Sequence, residues 1–185
     1  GPHYTFPGAA FRSAVGAPKT LPGLVPGKPN GTGCEVLSGR HFPEEWAGSI
    51  VENDFRANRT VRYKLTDNGS GFAAKEVETL IHSSRQTYRP VDLKVGPDGA
   101  LYVVDWYNAI IDHGEVDFHH PLRDKAHGRI WRLQAKDRPL VKRPNISGAP
   151  IEALLDHLKA PEDYTRTQAK RELATHSQNE VLPKL

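Results

Sequence analysis

Residues 88–132 read YRPVDLKVGPDGALYVVDWYNAIIDHGEVDFHHPLRDKAHGRIWR. Val91–Val95 is a short strand, Gly96-Pro97-Asp98-Gly99 a turn, and Leu101–Asp105 an apolar strand. Turn-forming residues between two short apolar runs are the mark of a hairpin. The loop that follows holds Asp112, His113, Glu115, Asp117, His119, His120, Asp124 and His127. A loop delivered by a rigid sheet is a common place for chemistry. His127-Gly-Arg-Ile-Trp131 then opens a closing strand over 128–134, with Ile130 and Leu133 read as core.

Upstream, the pattern is also β. Trp46–Asp54, Asn58–Leu65 and Phe72–His82 are strand candidates, and Val61, Tyr63 and Leu65 alternate with Arg62 and Lys64. Asp67-Asn68-Gly69-Ser70-Gly71 is a turn signal. Successive short antiparallel strands suggest one four-stranded sheet after another, the sequence habit of β-propellers. Downstream, Ile151, Leu154, Leu155 and Leu158 form a helical stripe, with Ser147 or Gly148 near the cap and Pro150 in the first turn. Ala160-Pro161 breaks it, and a second helix runs over 162–176 with Tyr164, Ala169 and Leu173 on its apolar face. Two short helices around a tight break make an αα-hairpin.

The expected fold class is therefore mainly β: a partial β-propeller of about two four-stranded blades, followed by a C-terminal α-helical hairpin of HEAT-like type. The expected organisation is an extended Pro/Gly-rich connection over 1–40, two blades over 41–135, a linker over 136–146 and the helical hairpin over 147–185. Pro18, Pro22, Pro26 and Pro29 recur in the first segment without apolar periodicity, so its backbone needs partners outside itself.

Composition narrows the function classes. The chain has 185 residues, 37% hydrophobic content and a net charge of +3, with acidic residues mixed among basic ones. The densest basic run, Lys136, Arg138, Lys142 and Arg143, reads as a solvated linker and not as a nucleic-acid stripe. No apolar run is long enough to span a bilayer as a helix. A single cysteine, Cys34, permits no internal disulfide and leaves the redox compartment open. No CxxCH occurs, so no c-type haem attaches to these residues. The chain lacks methionine, which reads as a processed product or an excerpt, and Gly1-Pro2 reads as a protease scar.

Several residues carry two readings each. His113, Glu115, Asp117 and His119 alternate onto one face of an extended segment and, with Asp112, offer metal ligands. The competing reading is a loop whose polar groups bond backbone, Arg123 or Arg129. Asp105 and Asn108 are either polar-ligand binders or the anchors of Asx turns. Trp106 and Tyr107 either stack on a sugar ring or fill a gap between sheets. Arg56, Arg59 and Arg89 are anion clamps or structural partners of Asp residues, Arg89 with Asp92 or Asp54. His127 either orients the loop or acts as a general base. His41, Asp98 and Cys34 read as structural.

The motifs RPVDLKVGPDGALYVVDWYN, HGEVDFHHPLRD and HGRIWR, with PGLVPGKPNGTGCEVLSGRHFPEEWAGSIVENDFRANRTVRYKL upstream, resemble the large exported proteins of planctomycetes labelled membrane-bound dehydrogenases or haem-binding-domain proteins. The resemblance spans nearly the whole chain. It implies the last two blades of a glucose/sorbosone dehydrogenase-like propeller and the first hairpin of a helical-repeat region. It also implies a periplasmic or otherwise exported location, pyrroloquinoline quinone and Ca2+ as cofactors, a sugar or carbohydrate ligand, and a c-type cytochrome domain elsewhere. On that reading Arg56, Arg59, Arg89 and Asn108 hold the cofactor. His113, Asp105 and His127 are catalytic, and the loop from Asp112 to His119 holds the metal, calcium first. The remaining blades would lie on another chain or precursor segment. The second reading of the same fold is a non-catalytic propeller scaffold that binds carbohydrate or partner proteins. Two blades alone leave sheet edges and an apolar face uncovered.

Overall fold

The computed structural model describes residues 31–112 and 114–185. Most of the connection expected over 1–40 thus lies outside the described residues. The described residues are mainly β, with two open antiparallel sheets and three short α-helices. The first sheet has the order β1 (Gly31–Val36), β2 (Ile50–Asp54), β3 (Arg59–Asn68), β4 (Gly71–His82). The second is β5 (Pro90–Val95), β6 (Leu101–Asp105), β7 (Arg129–Leu133), three strands where four were expected. The helices are α1 (Ile151–His157), α2 (Asp163–Leu173) and α3 (Gln178–Val181).

Turn chemistry explains why the chain reverses where it does. The β3–β4 hairpin closes on Asn68 opposite Gly71, and Gly69 takes φ +60° at the first of two loop positions. Only the first loop residue has positive φ, a conformation that glycine adopts without a Cβ penalty. At the β5–β6 turn, the Gly96 N–H donates to Ala100 O at 2.8 Å and the Ala100 N–H to Asp98 Oδ1 at 3.1 Å. Between β2 and β3, Asn58 sits at φ 55° and its amide donates to Tyr88 O.

Four expectations need correction. Gly31–Val36 is a strand inside the segment read as an extended connection. Gly33 makes a bulge there at φ +66°, where a Cβ would stand 2.7 Å from Asp92 Cα. The strand read over Trp46–Asp54 begins only at Ile50, because Glu44–Trp46 forms a 3-10 turn behind Pro43. Pro150 is itself the N-cap of α1, and Ser147 and Gly148 precede it. The buried face of α2 is Thr165 and Ala169, while Tyr164 and Leu173 are half-buried.

The residues form two compact units. The first holds Val36 and the described residues before it, Gly48–Lys94 and Val103–Trp131; the second holds Leu37–Ala47, Val95–Tyr102 and Arg132–Leu185. In the first, Ile50, Val61 and Tyr63 pack with Cys34, Leu65 and Ala74. This is the face that the alternation of Val61, Tyr63 and Leu65 marked. The opposite face of β2 and β3 carries a buried polar chain. Thr60 donates to Asn53 Oδ1 at 2.8 Å, so Tyr88 must donate to Thr60, also at 2.8 Å. Burial pushes the Tyr88 phenol up to about 12, so it remains a donor. In the second unit Leu37, His41, Leu101, Ile151, Leu154 and Ala169 are buried.

Candidate functional site

The end of β6 organises the first unit. Asp105 is buried, and its Oδ1 accepts from the Arg89 N–H at 2.8 Å and the Tyr107 N–H at 3.0 Å. Its Oδ2 accepts from Arg129 Nε at 2.9 Å, Arg129 Nη2 at 2.8 Å and Trp131 Nε1 at 3.0 Å. The Tyr107 bond is an Asx turn that holds Tyr107 at φ 57°. A second one follows, from the Ile110 N–H to Asn108 Oδ1 at 3.2 Å, while the Asn108 amide donates to Asp124 O at 3.1 Å. Arg129 lies 4.0 Å from the Tyr107 ring centroid and 5.1 Å from that of Trp131. Asp105 and Asn108 thus hold the loop that leaves the sheet.

Arg89 is committed too. Its guanidinium donates to the carbonyls of Asn108 at 3.1 Å, Phe55 at 3.2 Å and Ala109 at 3.3 Å, and more weakly to Arg56 O. Burial, and then the Arg56 charge, hold it below the ordinary arginine range. It bonds these carbonyls in place of the Asp92 or Asp54 carboxylate expected for it. Asp54 is taken by Arg59 at 3.3 Å, which also reaches Glu76 at 2.7 Å. Arg56 is exposed and has no ion pair among the described residues.

The acidic and histidine-rich loop is mostly exposed. Asp117 Oδ1 accepts the His119 N–H at 2.8 Å, and Arg123 donates to the carbonyls of Asp112, Val116 and Asp117 at 2.7, 2.8 and 3.0 Å. Asp124 accepts the N–H groups of Ala126 and His127, each at 2.9 Å, and pairs with His127 Nδ1 at 2.9 Å. The His127 side chain remains largely exposed. His113 lies outside the described residues. Among the described residues, no three His, Cys, Asp or Glu side chains gather as a metal set. Asp112 and Glu115 are exposed without a bonded side-chain partner among the described residues.

The quinone and calcium implied by the resemblance can be set against this geometry. A tricarboxylate needs uncommitted cations, and of Arg56, Arg59 and Arg89 only Arg56 is uncommitted. Calcium needs several convergent oxygens, and the described loop carboxylates do not converge. The described residues do not by themselves fit either group.

A shallow groove of 570 Å³ lies on the second sheet within the first unit, lined by Val91, Val104, Asp105, Trp106 and 127–130. Its apolar members are exposed: Val91 37%, Val104 39%, Trp106 41% and Ile130 70%. Ile130, read as core from its strand position, instead faces solvent. Phe55 stacks on Trp106 at 6.2 Å and 13°, which occupies one face of the indole.

Sequence reasoning missed two features. Glu52 is buried in β2; burial, with Asp54 adding, pushes its carboxyl up to about 7. Its strand reads as alternating, so the only signal was an acidic residue in register with Ile50 and Asp54. In the second unit, Ser38-Gly39-Arg40-His41 forms a clasp. Arg40 Nε and Nη2 donate to the buried Glu162 at 2.9 and 3.0 Å, and Ser38 Oγ accepts the Asp163 N–H at 2.9 Å. His41 bonds Pro139 O through Nδ1 at 2.9 Å and accepts the Ala135 N–H at Nε2, at 3.0 Å.

No curated protein and no solved structure matches the chain. Residues 24–137, more than half of the chain, match the family described as Domain of unknown function (DUF7133). The strands, the Asp105 hub and the groove all fall within that match, and the chain belongs to the DUF7133 family.

Proposed function

We propose that the β-sheets are consecutive blades of a larger β-propeller, that the helices begin a HEAT-like array, and that the chain serves as a non-catalytic binding scaffold. The observation that carries this reading is the exposed apolar surface of Val91, Val104, Trp106 and Ile130 in the first unit. Contiguous apolar surface on a folded domain marks an interaction site. The occupant we assign is a further β-sheet, belonging to another segment or chain of the same propeller. The chain order supports it: one antiparallel meander follows another. Asp105, read as catalytic, and Arg89, read as a cofactor clamp, are both engaged in holding loops.

Sedimentation velocity and apolar-dye titration of the 185-residue chain test the proposal. The chain should bind dye and self-associate with rising concentration. A Trp106→Ser/Ile130→Ser variant should lose most of both at an unchanged melting temperature. A wild-type chain that stays monomeric and binds no dye overturns the reading.

A further inference from the structure

The second unit contains a groove of 680 Å³ unrelated to the apolar surface above. The extended segment Arg143–Ser147 and one face of α2 line it. The α2 positions are Tyr164, Gln168, Arg171, Glu172 and, just past the helix, Thr175. Their spacing of four, three, one and three places them on a single helical face. That face is polar, whereas the packed face of α2 is Thr165 and Ala169. A face meant to stack against another helix would be apolar, so the groove calls for a polar occupant.

The arginines of this unit show which polar occupant. Arg40 pairs with Glu162, Arg132 with Asp98 and Arg166 with Asp163, while Arg138 donates to the carbonyls of Arg40 and His41. The side chains of Arg143 and Arg171 have no hydrogen bond or ion pair among the described residues, and both line the groove. The one acidic wall residue, Glu172, already accepts the Gly148 N–H at 2.8 Å. The amides of Asn145 and Gln168 add neutral donors and acceptors of the kind that pair with peptide main chain.

We propose that this groove binds an acidic peptide segment, with its carboxylates on the forks of Arg143 and Arg171 and its main chain along Gln168 and Asn145. Guanidinium–carboxylate pairing is bidentate and charge-assisted, and its exposure makes the binding modest and salt-sensitive.

The test is calorimetric titration of the full 185-residue chain with a capped Asp-Glu-Asp-Glu peptide, a capped Asn-Gln-Asn-Gln peptide and inorganic phosphate. The acidic peptide should bind and weaken with added salt, and the neutral one should not bind. Arg143→Ala and Arg171→Ala should each weaken binding about tenfold, while Lys136→Ala, outside the groove, leaves it unchanged. Melting curves of the arginine variants should match wild type, since neither residue holds the fold. The assignment is overturned by no binding of the acidic peptide, by arginine variants that bind it as tightly as wild type, or by phosphate binding as tightly as the peptide.

Discussion

A carboxylate offers about four acceptor positions, and at Asp105 main-chain and side-chain donors from Arg89, Tyr107, Arg129 and Trp131 take them all. Replacing one oxygen by an amide turns an acceptor into a donor that faces other donors. It also leaves Arg129 without its counter-charge. Asp105→Asn should therefore cost about 3 kcal/mol, read as a lowered urea midpoint by tryptophan fluorescence. A loss below about 1 kcal/mol would mean that the hub does not hold the loop. Glu52 presents the opposite case. Its folded carboxyl titrates at about 7, above the ordinary glutamate value of 4.5. The folded state therefore binds the proton more tightly than the unfolded state. Stability from this group is complete below about 4.5, falls as pH rises through about 7, and is lost above it. Glu52→Gln removes that loss, and its advantage over wild type at pH 8 should be on the order of 2 kcal/mol. Urea midpoints at pH 5 and pH 8 check this: the gap between the two proteins must widen at the higher pH.

Among the elements, the clasp of Ser38 to His41 is the clearest case of long-range specification. Gly39 adopts φ +94°, and a Cβ there would stand 2.8 Å from Glu162 Cγ. Burial raises the Glu162 carboxyl, but the bonds from Arg40 outweigh it and hold it below the ordinary glutamate range. The clasp therefore contributes stability above the ordinary glutamate value and loses it as pH falls through the depressed one. Gly39→Ala should destabilise by about 1–2 kcal/mol, and Glu162→Gln should speed amide exchange in α2 while leaving β2 and β3 unchanged. Unaltered α2 exchange in both variants would show that the clasp carries no load. The clasp was illegible in the sequence because its partners lie far along the chain: Arg40 from Glu162, His41 from Ala135 and Pro139. Leu101–Asp105 was legible end to end, since alternation and the Gly96–Gly99 turn are both local. Gly31–Val36 was not, because glycines interrupt its short run and only its register with β2 makes it a strand. Ile130 was misplaced for a related reason: its alternation marks a strand face, and burial depends on whether anything covers that face. In the candidate site, Asp105 and Asn108 stood out as Asx-turn formers, but the donors that saturate Asp105 come from four separate positions.

Across the whole molecule, burial is unevenly spread. All five positions of β2 are buried, as are Val61 and Tyr63 in β3, Leu93 in β5 and Val103 in β6. By contrast β4 is exposed along most of its length, with Phe72 at 57%, and Ile130 on β7 is at 70%. Local opening follows buried apolar contact: segments with few such contacts open at low cost, and densely packed strands exchange only on global unfolding. Amides of β2 and of Val61–Tyr63 should exchange most slowly in the isolated chain, at a rate that follows urea stability. Amides of β7 and of 114–128 should exchange orders of magnitude faster despite their hydrogen bonds. A partner sheet docked on the Val91, Trp106 and Ile130 surface would remove water from the second sheet alone. Protection should then rise at Val104 and Arg129–Leu133 and stay constant in β2. Hydrogen exchange followed by mass spectrometry, on the chain alone and after addition of the segments proposed to complete a propeller, reads both effects. Equal protection of β2 and β7 in the isolated chain would show that β7 needs no cover, and the scaffold reading would lose its physical basis.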